Sequence, residues 1–118
     1  MRIRTESGLE YEDIKRSDGP SMSIGQVVSL QYDIALSYDD LEKGITLDSS
    51  YTRKQPISFK LGAGEVLLGV DEGVQTMKVG DLRRLIIPSH LAYGERGLPG
   101  IIPPNSTLFV DIKVRFVE

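Results

Sequence analysis

The chain has 118 residues, 40% hydrophobic and 26% charged, with a formal net charge of −3. That length and balance suit one domain with one core over residues 1–118, and the scattered charge offers no basic stripe for a nucleic-acid backbone. The absence of cysteine excludes a disulfide framework, a thiolate metal site and a cysteine nucleophile.

The first eight residues lack the apolar run of a signal peptide, and no stretch approaches the roughly 20 apolar residues of a membrane span. The expectation is a cytoplasmic protein without a membrane partner, although a processed organellar or periplasmic form would read the same way. A weak strand candidate runs from Leu9 to Ile14. From Gly25 the pattern becomes strict period two, with Val28, Leu30, Tyr32, Ile34 and Leu36 on one face and Ser29, Gln31 and Asp33 on the other. That alternation predicts a half-buried antiparallel strand. The acidic stretch Tyr38 to Lys43 lacks the ligand spacing and glycine of a calcium loop and reads as a solvated hairpin tip. Ile57, Phe59 and Leu61 alternate after Pro56, whose missing N–H suits a strand start.

Val66, Val70, Val74 and Met77 recur at helical spacing, a stripe about three turns long that Gly80 would end. Gly69 and Gly73 interrupt it at about 1 kcal/mol each relative to alanine, so packing on the sheet must hold this helix. Leu85 and Ile87 mark a further strand, with Arg84 and Ile86 opposite. Pro88 to Asn105 is irregular and contains four prolines; loops this long in small domains are commonly functional. Leu108, Val110, Ile112, Val114 and Phe116 form the clearest alternation, and they close the chain. The fold class is α+β: a curved antiparallel sheet of about five strands wrapped around one short helix.

Three ordered segments carry a resemblance. They are Leu47-Asp48-Ser49-Ser50-Tyr51; Leu61 through Val74 followed by Met77-Lys78-Val79-Gly80; and Ile87-Pro88 through Leu91-Ala92-Tyr93-Gly94, continued by Gly97 to Leu108. At this order and spacing the chain resembles the FKBP family, the macrolide-binding peptidyl-prolyl cis-trans isomerases, over nearly its whole length. The resemblance implies an apolar pocket between helix and sheet that accepts a proline ring of a peptide or protein client, or a macrolide. By the same resemblance its walls are Tyr32, Ile57, Val66, Leu67, Tyr93 and Ile102, with Val70 at the floor. Asp48 and Tyr93 would supply polar side-chain contacts, and the Leu67 backbone N–H would donate to a substrate carbonyl.

On residue types alone several of these positions have ordinary readings. Asp48-Ser49-Ser50 suits an Asx-type turn, and Arg53 five residues on could pair with Asp48 for little gain in stability. Tyr93 suits either a surface ring or a pocket edge, and Ile101-Ile102-Pro103-Pro104 could be a loop clamp. His90, the only histidine, has no partner cluster in sequence and reads as a solvated loop residue.

Prolyl isomerisation asks for no nucleophile, metal or cofactor. Its barrier of about 18–20 kcal/mol comes from lost amide resonance, and the twisted amide is less dipolar than the planar one, so an apolar cavity favours it. Binding energy from flanking carbonyls can be spent on the twisted geometry. This chain departs from the family where ring area matters: Val70 replaces the usual tryptophan, and Leu47, Ile57 and Val110 stand where phenylalanine is usual. Leu98 also replaces a commonly polar or aromatic residue. Tyr51 or Phe109 turning inward would compensate, although alternation argues against Phe109. The expectation is a monomeric isomerase with reduced turnover and weak macrolide affinity. The alternative is a non-catalytic binding or chaperone module that recognises a specific protein partner.

Overall fold

Alternating apolar residues set the sheet. In a computed structural model that describes residues 2–118, β3 (Val27–Ala35) and β7 (Leu108–Val117) pair antiparallel at its centre, with Tyr32 opposite Ile112 and Ile34 opposite Val110. Leu30, Leu108, Val110, Ile112 and Val114 are fully buried on the concave face. Around this pair lie β1 (Arg2–Arg4), β2 (Glu10–Lys15), β4 (Asp48–Ser49), β5 (Ile57–Lys60) and β6 (Leu82–Ile87). Their order is β1-β2-β6-β7-β3-β4, with β5 also on β3, and every pairing is antiparallel. Among the described residues there are thus seven strands rather than about five. The two additions span three and two residues, too short for any periodicity to appear.

Helix α3 (Leu68–Val74) lies against β6. It is seven residues long, shorter than the stripe that predicts it, and it is capped at Gln75 instead of running to Gly80. Val66 and Met77 fall outside it; Met77 is still buried in the core. The two glycines have a packing reason. A Cβ on Gly69 would sit 2.4 Å from Ile87, and one on Gly73 would sit 2.7 Å from Leu85. Their helix-propensity cost is therefore the condition for the helix to approach the sheet this closely.

The stretch from Tyr38 is not a hairpin tip. Tyr38–Glu42 is a short helix, α1, capped by the Ser37 hydroxyl, which accepts from the Asp40 N–H at 3.0 Å. Leu41 is buried, and Glu42 pairs with Arg84 of β6. Arg84 also forms a two-bond contact with Asp111 at 2.7 and 2.9 Å and stacks over the Tyr38 ring at 4.8 Å. Its neighbour Arg83 points to the opposite face, where it pairs with Asp13 at 2.7 Å, donates to the Gly73 carbonyl at 2.9 Å and covers the Tyr11 ring. His90 is exposed as expected, although its Nε2 lies 2.7 Å from the Ser7 carbonyl oxygen.

Candidate active site

Between α3 and the concave face of the sheet lies a cavity of about 570 Å³. Eight of the ten residues assigned to the site from sequence line it: Tyr32, Asp48, Ile57, Val66, Leu67, Val70, Tyr93 and Val110. Leu47 and Ile102 stand outside the lining. Leu47 is half-buried against the core, and Ile102 is buried in it, held by reciprocal backbone bonds with Leu98 of 2.8 Å each. Further lining comes from Leu30, Ile34 and Ile112, from Ala92 beside Tyr93, and from Gly64, Glu65 and Leu68. Leu30 and Ile34 sit two residues either side of Tyr32 on one strand, so the alternation that places Tyr32 places them too. Glu65 carries no such signal.

The floor is aliphatic. Leu30, Val70, Val110 and Ile112 are each 7% exposed or less, and Tyr32 and Tyr93 supply the only rings in the lining among the described residues. Phe109 faces the other side of the sheet, edge-on to Tyr38 with centroids 6.4 Å apart. Tyr51 is exposed. Neither ring compensates for the short floor.

At the mouth, Tyr32, Asp48 and Arg53 form one network. The Tyr32 hydroxyl donates to Asp48 Oδ2 at 2.7 Å, and Arg53 Nε lies 3.2 Å from Asp48 Oδ1. The Arg53 guanidinium also donates to the Tyr32 hydroxyl, with its centre 5.6 Å from the ring. Asp48 Oδ1 further accepts from the Ser49 N–H at 2.9 Å. Arg53 ends helix α2 (Ser50–Arg53), which is tied to β3 because the Ser50 hydroxyl accepts from the Tyr32 N–H at 2.7 Å. Burial first, and then the Asp48 hydrogen bond and charge, push the Tyr32 phenol up to about 12 against the opposing Arg53. Tyr32 is therefore a fixed hydrogen-bond donor throughout neutral pH.

The segment before α3 is fixed by a buried carboxylate. Asp71 accepts from the Gly62 N–H at 2.7 Å and the Gly64 N–H at 3.1 Å. The Leu67 N–H, at the start of the helix, donates to no other group of the described residues. The Tyr93 hydroxyl likewise makes no hydrogen bond to them; its loop is held by the Gly94 N–H on the Ser89 carbonyl and the Asn105 N–H on the Gly94 carbonyl, at 2.8 and 2.9 Å. Two residues of the cavity lining thus each carry a donor that has no partner among the described residues. No group of three or more His, Asp or Glu side chains among the described residues is placed to hold a metal ion, and no helix there is long and apolar enough to cross a membrane.

Comparison with known proteins agrees with this geometry. A family model described as FKBP-type peptidyl-prolyl cis-trans isomerase matches residues 19–115. The peptidyl-prolyl cis-trans isomerase FPR2 of Saccharomyces cerevisiae is 50% identical over 112 residues, 92% of this chain and 80% of that protein. The FK506-binding protein of Streptomyces anulatus is 46% identical, over 86% of this chain and 81% of its own length. Among solved structures, AtFKBP13 superposes with a TM-score of 0.89 at 35% identity, covering 100% of this chain and 99% of the other. The chain belongs to the FKBP-type peptidyl-prolyl cis-trans isomerases, enzymes that turn the peptide bond preceding proline.

Proposed function

We propose that proline segments are turned in the cavity under α3, with the proline ring on the Val70 and Val110 floor and turnover below that of relatives with an aromatic floor. The supporting observation is the juxtaposition of a short aliphatic floor with two unengaged donors, the Leu67 N–H and the Tyr93 hydroxyl. In this reading Leu67 and Tyr93 hold the carbonyls flanking the bond. Asp48 acts through the Tyr32 hydroxyl and Arg53, which it keeps in place. The apolar floor favours the twisted, less dipolar amide. A tenfold to ten-thousandfold acceleration requires about 1.4 to 5.5 kcal/mol, a range that two charge-neutral hydrogen bonds of about 1 kcal/mol each and desolvation together can cover. A macrolide would enter the same cavity, weakly, because it finds little ring area there.

The test is NMR exchange on Leu-Pro peptides with the parent and with Tyr93→Phe and Asp48→Ala. Both variants should turn over more slowly while folding normally. Parent-level turnover in both would reject the assigned roles, and capture of a protein partner that survives both changes would favour a binding module instead.

A further inference from the structure

We infer that Glu65 makes this cavity select proline segments with a lysine or arginine within one or two residues of the proline. The inference rests on the isomerase reading of the cavity. Two charged residues line it, Asp48 and Glu65. The charge of Asp48 is already met by Arg53, by the Tyr32 hydroxyl and by the Ser49 N–H. That of Glu65 is not. Its Oε1 accepts the Lys60 backbone N–H at 2.9 Å, and no cationic side chain of the described residues pairs with it. Lys60 itself turns the other way: along β5 the inward residue is the buried Phe59, and Lys60 lies exposed opposite Val27.

The backbone bond fixes the Glu65 carboxylate beside the end of β5, next to the cavity that the residue helps to line, so part of the ordering needed for an ion pair is present before substrate arrives. Glu65 is exposed, which keeps the desolvation cost of pairing small and also limits the gain. Exposed pairs contribute a selectivity of about two- to fivefold, screened by salt. The net charge of −3 acts in the same direction on a cationic peptide.

The experiment measures kcat/KM by NMR exchange for Leu-Pro peptides that differ only in having Lys, Gln or Glu near the proline, with the parent and with Glu65→Gln. In the parent, at low salt, the Lys peptide should exceed the Gln peptide by about two- to fivefold and the Glu peptide should fall below both. The Lys-to-Gln ratio should approach one in Glu65→Gln and in about 0.5 M NaCl, where the screening length falls between about 3 and 10 Å. Equal turnover across the charge series, or a preference that survives Glu65→Gln, would overturn this inference alone. Failure to turn over any of the peptides would overturn the cavity reading with it.

Discussion

Refilling the floor with a ring tests the link between ring area and turnover. Val70 is 7% exposed and lines the cavity beside Val110 and Ile112. In Val70→Phe the new ring presents one face upward. Of the ~150–250 Å² that an aromatic ring can bury, roughly 50 Å² would become new contact with a bound proline. At ~25 cal/mol per Å² this is about 1.3 kcal/mol, or close to tenfold if realised fully in the twisted state. The cavity of about 570 Å³ leaves room for the ring, whereas insertion into the core beneath would cost about 1–3 kcal/mol and lower Tm. NMR exchange on a Leu-Pro peptide and a thermal melt separate the two. A variant with parental Tm and no gain in kcat/KM would refute the claim that the short floor limits turnover.

Two further substitutions address the scaffold. Gly69→Ala removes a residue with poor helix propensity, yet its Cβ would meet the fully buried Ile87 at 2.4 Å; the expected result is a loss of about 1–3 kcal/mol in denaturant unfolding, and a gain would show that the helix is not held by close approach. For Asp13, burial works to raise the carboxyl but is outweighed by the hydrogen bonds and charges of Arg83 and Arg16, which leave it below its ordinary value of 3.8. A depressed folded-state value means that this stabilisation is complete above 3.8 and is lost as pH falls through the lowered value. Asp13→Asn should therefore lose less stability than the parent between pH 7 and strongly acidic pH, measured by thermal melts; parallel losses would contradict this.

What was legible in the sequence and what was not divides by range. The strands around Tyr32 and Val110 are visible because each alternates over many residues, and the Asp48–Arg53 pair is visible because the partners are five apart and need only one turn of α2 between them. The acidic α1 segment misleads because Glu42 meets its cation, Arg84, 42 residues later. The hold of Asp71 on Gly62 and Gly64, and the place of Glu65 in the wall, depend on how the segment before α3 folds back, and no periodicity encodes that. Leu47 and Ile102 share the burial of the lining residues, Ile102 in one core cluster with Val70 and Val110, and only the course of the backbone leaves them beside the cavity instead of in its wall.

If proline binds in the cavity under α3, titration of a Leu-Pro peptide followed by backbone and side-chain NMR will report it residue by residue. Shifts should centre on Tyr32, Asp48, Leu67, Val70 and Tyr93, the residues that converge on the cavity. Shifts confined to the outer face around Tyr38, Arg84 and Phe109, with the cavity silent, would contradict it.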